Sequence, residues 1–106
     1  MHTAFFGDAE YQFNLTPAMI RELEQKCGAI GALCQRVFNR NFSQADINET
    51  IRLALVGGGT TPKRAAELIA AYAEGRPLIE TYELAAKILE RAMFGNPHEK
   101  DNTNAS

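Results

Sequence analysis

Two cysteines, two histidines and a run of three glycines are the residues with the most obvious chemical potential in this chain. None stands in a spacing that a metal or a nucleophile requires. Cys27 and Cys34 occupy apolar positions of a helical pattern, with neither a CxxC nor a paired zinc spacing. They read as small buried hydrophobes, with a disulfide or a reactive thiol as the alternative. His2 and His98 lie far apart in sequence, the second in a polar stretch, so no metal site and no cofactor is expected.

Gly57-Gly58-Gly59-Thr60-Thr61-Pro62-Lys63 is the most site-like segment, because glycine-exposed amides at a helix start can cradle phosphate. A Walker-type loop, however, follows a strand and needs a Gly-Lys-Ser/Thr ending, whereas a helix precedes this run and Pro62 removes an amide. A helix-helix turn is the better reading. The same helix pair admits a helix-turn-helix regulator, with Lys63 and Arg64 opening a recognition helix. Glu67 and Glu74 oppose this, and Lys63 with Glu67 reads as a solvated pair.

Between Glu24 and Asp46 there is no acid, while Lys26, Arg36 and Arg40 fall in that window. Arg36 and Arg40 share a helical face and are candidate contacts to an acidic partner; cations complementing a helix C-terminus are the plainer account. Glu22, Glu24, Glu80 and Glu83 are explained by solubility and by the first-turn preference for negative charge, and no Ser or Cys has a local base. An enzyme is therefore not expected. Phe5, Phe6, Tyr11 and Phe13 are more apolar surface than two strands hide alone, so they either pack on the chain's own helices or capture a partner segment.

The elements that must position these residues follow from the pattern of 106 residues, 45% hydrophobic and 23% charged, with 11 Lys+Arg against 13 Asp+Glu. That balance gives no cationic field for nucleic acid, and the length suits one small core. Ala4 to Leu15 alternates with period two around Gly7-Asp8, which predicts a short hairpin with Tyr11, Phe13 and Leu15 on one face. Thr16-Pro17 opens a helix with the stripe Met19, Ile20, Leu23 and Cys27, a Glu22–Lys26 pair outside, and Gly28 as its stop. Ile30, Leu33, Cys34, Val37 and Phe38 form a shorter second helix. Ser43 with Asp46 resembles a capping box for a third, whose stripe is Ile47, Ile51, Ala54 and Leu55 and which the three glycines end through their entropy cost and left-handed capping. Thr61-Pro62 opens a fourth with Ala65, Leu68, Ile69 and Tyr72 inward. Pro77 opens a fifth, with Ile79, Tyr82, Ala85, Ala86, Ile88, Leu89 and Met93 facing two neighbours until Gly95-Asn96-Pro97. The fold class is α+β, mostly α: an N-terminal β-hairpin followed by about five short helices in one domain over residues 1–95. Residues 96–106 read as a disordered polar tail. No signal-like start or membrane-length apolar run stands out, so a cytoplasmic protein is expected.

This succession resembles the tail-assembly chaperone-like family of gene transfer agents and related phage-like particles, also labelled as tail tube proteins. The resemblance rests on Gly7-Asp8 and Tyr11 leading to Leu15-Thr16-Pro17, on Ile20-Arg21-Glu22-Leu23-Glu24, on Gly28-Ala29-Ile30-Gly31-Ala32-Leu33, on Ile51-Arg52-Leu53-Ala54-Leu55-Val56-Gly57-Gly58-Gly59, and on Tyr72 with Gly75-Arg76-Pro77-Leu78. It implies a non-enzymatic role in tail morphogenesis. The implied partners are the tape-measure protein and tail-tube subunits of the same particle, with a second copy of the chain as a further candidate and no nucleic acid or membrane. The candidate partner-binding residues are Phe5, Phe6, Tyr11, Phe13, Arg36 and Arg40, and a small helix-turn-helix DNA-binding regulator is the alternative.

Overall fold

Alternation, capping residues and glycine stops produce the elements in the expected order. The computed structural model describes residues 2–95, so His98 and the expected 96–106 tail lie outside the described residues. The chain forms β1 (His2–Phe6), β2 (Ala9–Phe13), α1 (Pro17–Cys27), α2 (Ile30–Phe38), α3 (Gln44–Gly57), α4 (Pro62–Tyr72) and α5 (Leu78–Phe94). The strands pair antiparallel from His2 with Phe13 to Phe6 with Ala9, around a two-residue turn in which Gly7 has φ 71°. Phe6 and Phe13 are buried, Ala4 and Tyr11 are half-buried, and Thr3, Phe5, Glu10 and Gln12 face solvent.

Hydroxyl caps open three helices. Thr16 Oγ1 accepts from the Met19 N–H at 3.3 Å and Thr61 Oγ1 from that of Arg64 at 3.2 Å. At α3 the capping box is complete: the Asp46 N–H donates to Ser43 Oγ at 3.1 Å and the Ser43 N–H to the Asp46 carboxylate at 3.0 Å. α3 is the hub, since α1, α2, α4, α5 and β2 all pack against it. Its Ile47, Ile51, Leu53, Ala54 and Leu55 are buried, and each large one contributes about 1.5–3 kcal/mol through burial. Thr50, buried among them, donates its hydroxyl to the Asp46 carbonyl at 2.7 Å, which leaves no orphan donor.

The glycine run acts differently from a simple helix stop. α3 continues through Gly57, and Gly58 keeps a right-handed conformation at φ −88°; only Gly59 has positive φ, at 112°. The first two glycines are needed for space. A Cβ on Gly57 would collide with the Asn14 carbonyl, and one on Gly58 with the Gln12 carbonyl. With no side chains in the way, the end of β2 lies directly on the end of α3, where the Asn14 N–H donates to the Ala54 carbonyl at 3.0 Å. Gly7 is crowded in the same way, by the Tyr72 ring of α4.

Two of the three cations between Glu24 and Asp46, Lys26 and Arg36, are paired with acids of α3. Arg36 donates from Nε and Nη2 to both Asp46 carboxylate oxygens at 3.2 and 3.0 Å, and from Nη2 to the Cys27 carbonyl at 2.9 Å. Arg40, at φ 59°, places its guanidinium 6.0 Å from the centroid of the Tyr82 ring, which itself stacks on Phe42. Lys26 pairs with Glu49 at 3.8 Å in place of the expected Glu22, and Arg64 takes Glu67 from Lys63. Cys34 is buried and Cys27 half-buried, both free; burial and the nearby Asp46 charge push the Cys27 thiol up to about 11, which keeps it protonated. Two residues of the expected α5 stripe, Ile79 and Met93, are exposed because α5 meets its neighbours mainly through Thr81, Ala85, Ile88 and Leu89.

Two outcomes follow from these contacts. Gly58→Ala lowers stability by about 1–3 kcal/mol in chemical denaturation because backbone must move, whereas Gly31→Ala, in open space on α2, raises it by about 0.5 kcal/mol. Burial raises the Asp46 carboxyl's pKa, but hydrogen bonds from Arg36 and Ser43 outweigh it and hold the group below its ordinary value. A depressed folded-state pKa stabilises above the unfolded value, near 3.9, and this contribution is lost as pH falls through the folded pKa. Asp46→Asn therefore costs about 1–3 kcal/mol at neutral pH and flattens the acid limb of a denaturation-against-pH profile.

Candidate partner-binding site

A two-stranded sheet has two edges, and here they meet different environments. The β2 edge meets the glycine end of α3 at its C-terminal end, from Gln12 to Asn14. The β1 edge faces the C-terminal part of α4 and the N-terminal half of α5, and among the described residues no backbone hydrogen bond reaches it. An open groove of about 880 Å³ runs between them. Every residue from His2 to Gly7 lines it, which identifies the lining as the strand's edge, because a strand face would contribute alternate residues only. With a two-residue turn, Phe6 and Ala9 form the hydrogen-bonded pair beside it, and alternation then turns the N–H and C=O of Thr3 and Phe5 outward into the groove.

The opposite wall is Tyr72, Thr81 and Leu84, with Arg76, Glu80, Glu83 and Lys87 along the rim. Phe6 holds the floor, edge-on to both Phe13 and Tyr72 at centroid distances of 6.3 and 6.4 Å. The turn is tied to α4 by Arg64, which pairs with Asp8, while the Tyr11 hydroxyl donates to the same carboxylate at 2.7 Å. The Tyr11 hydrogen bond, with Arg64 beside it, holds the Asp8 carboxyl below its ordinary pKa. Arg76 and Glu80 pair at 3.2 Å on the exposed rim, where such a pair contributes little. At the other end, partial burial and the charges of Arg91 and Lys87 lower the pKa of His2, so β1 carries no side-chain charge at neutral pH.

The candidate residues therefore separate into distinct environments. Phe5 is 68% exposed beside the groove and Phe6 forms its floor. Tyr11 and Phe13 belong to β2 and do not line it; Phe13 is a core side chain. Arg36 and Arg40 also stand outside the lining, engaged by Asp46 and Tyr82. Sequence reasoning missed the wall. Leu84 and Lys87 look like any amphipathic helix positions, and Tyr72, read as core, is a wall residue 36% exposed. The crowding of Tyr72 on Gly7 and its ring contact with Phe6 reveal the pairing, and both join residues far apart in the chain.

The other candidate chemistries find no support in the geometry. The Gly58, Gly59 and Thr60 amides donate to carbonyls of the last turn of α3, so they are not offered to a phosphate. Among the described residues no three His, Cys, Asp or Glu side chains converge as metal ligands. At the start of α4 the Arg64 guanidinium is engaged by Asp8 and Glu67. No helix among the described residues is long and apolar enough to cross a membrane.

Comparison with known proteins places this geometry in context. A family model described as "Phage tail tube protein, GTA-gp10" matches residues 1–95, which covers the hairpin, all five helices and the groove. No curated protein and no solved structure gives a match. The chain belongs to the phage tail tube protein, GTA-gp10, family and is a tail-related protein of phage and gene-transfer-agent particles.

Proposed function

We propose that this protein is a non-enzymatic tail-assembly chaperone that holds the tape-measure protein, and with it tail-tube subunits, until the tail polymerises. The observation that carries the reading is the open groove beside β1, where an unpaired strand edge and the half-exposed Tyr72 offer directional and apolar contact in one place. Leu78 and Ile79, exposed at the start of α5, extend the apolar surface available to a client. A chaperone must release what it holds. A modest groove with a charged rim suits displaceable binding better than a sealed apolar interface of roughly 1,600 Å² would.

The family description itself favours a second reading, a structural tail component. The two differ in whether the chain stays with the finished particle.

Co-expression with the tape-measure protein of the same particle tests the reading. The chaperone moves that protein from the pellet to the soluble fraction and copurifies with it, yet is absent from purified particles. No complex and no gain in solubility rejects the role; the chain in stoichiometric amount in particles selects the structural component.

A further inference from the structure

An edge strand with outward backbone donors and acceptors is a template for another strand, and natural proteins ordinarily blunt such edges with Lys, Pro, bulges or a covering element. β1 is His-Thr-Ala-Phe-Phe, with no Lys or Pro, and the groove leaves its edge uncovered. The space matches one strand. Five paired residues occupy about 17 Å of length, roughly 4.8 Å of strand spacing and about 10 Å of side-chain depth, close to 800 Å³ in all, against the 880 Å³ present. A second folded copy is the poorer match, because α4 and α5 wall the groove across from the β1 edge and a second hairpin would bring its own walls with it.

Charge narrows the occupant further. Lys87 forms no ion pair among the described residues and stands on the rim at the His2 end, where its field and that of Arg91 reach the imidazole. At the Gly7 end Arg76 and Glu80 neutralise each other. With Glu83 one turn before Lys87 on the same rim, an incoming segment meets a cation at the His2 end, an acid along the middle and an internally balanced pair at the Gly7 end.

Resting on the client-binding reading above, we propose that the open edge of β1 takes one extended segment of the tail client as a third strand. Alternate apolar side chains of that segment fill the groove against Tyr72 and Leu84, and an acidic side chain at its His2 end pairs with Lys87. Main-chain bonds to Thr3 and Phe5 supply affinity with little sequence demand, and the alternate pockets supply selectivity.

Thr3→Pro tests this, because the Thr3 N–H points away from β2 and proline there spares the hairpin ladder while blocking the edge. With the tape-measure protein as probe, the variant keeps a melting temperature within about 3 °C of the parent and binds about ten-fold more weakly. Lys87→Glu weakens binding several-fold, and unchanged affinity overturns the acidic-end assignment. In the wild-type complex the Thr3 and Phe5 amides exchange about ten-fold more slowly than in the free chain. A folded Thr3→Pro with parental affinity, or unprotected Thr3 and Phe5 amides in the complex, overturns strand addition; should Thr3→Pro unfold, the exchange result decides. A free chain that is dimeric and becomes monomeric with Thr3→Pro assigns the edge to a second copy and overturns the client. A wild-type chain that fails to bind the tape-measure protein at all refutes the proposed function itself.

Discussion

The seam between the end of β2 and the end of α3 is the constraint from which the rest of the arrangement follows. Two residues without side chains, Gly57 and Gly58, let the backbone of Gln12 to Asn14 lie on the last turn of the central helix, and the Asn14-to-Ala54 hydrogen bond locks it there. With the end of β2 fixed there, the β1 edge is left facing the C-terminal part of α4 and the N-terminal half of α5 across open space. A hairpin of two strands is marginal in water unless it packs on something, and this one packs on α3 through β2 and on α4 through the Tyr72 contact at Gly7. The groove beside β1 is thus a consequence of how the hairpin is anchored.

The N-terminal end of α3 is held by a different junction. There the capping box of α3 also serves tertiary structure, since the Asp46 carboxylate that receives the Ser43 amide also receives both arms of Arg36. Arg36 in turn caps the Cys27 carbonyl at the end of α1, so three helices meet at one guanidinium. Asp46, the one buried charged side chain among the described residues, is spent on this junction, whereas the Arg76–Glu80 pair at the groove rim is exposed.

Much of this was legible in local sequence, and the reason is that helix starts and turns are local chemistry. Thr16-Pro17, Ser43 with Asp46, Thr61-Pro62 and the Gly7-Asp8 turn each announce themselves within a few residues, and all form as expected. What stayed hidden was non-local. Gly57 and Gly58 signal an ending, but nothing near them tells that β2 will land there. Arg36 and Arg40 look like an uncompensated patch because their partners, Asp46 and Tyr82, lie ten and forty-two positions away. Ile79 and Met93 fit the apolar periodicity of α5 yet remain exposed, because periodicity states which residues share a face and not how much of that face a neighbour covers.

The family match over residues 1–95 spans both the anchored end of the hairpin and the groove beside β1. The hairpin is anchored on α3 through the end of β2 and bare along its β1 edge. Residue-resolved amide hydrogen exchange on the free chain tests this most directly. The account predicts slow exchange at Asn14, whose amide is bound to the Ala54 carbonyl, and exchange near the unstructured rate at Thr3 and Phe5. Protected Thr3 and Phe5 amides beside a rapidly exchanging Asn14 would contradict it.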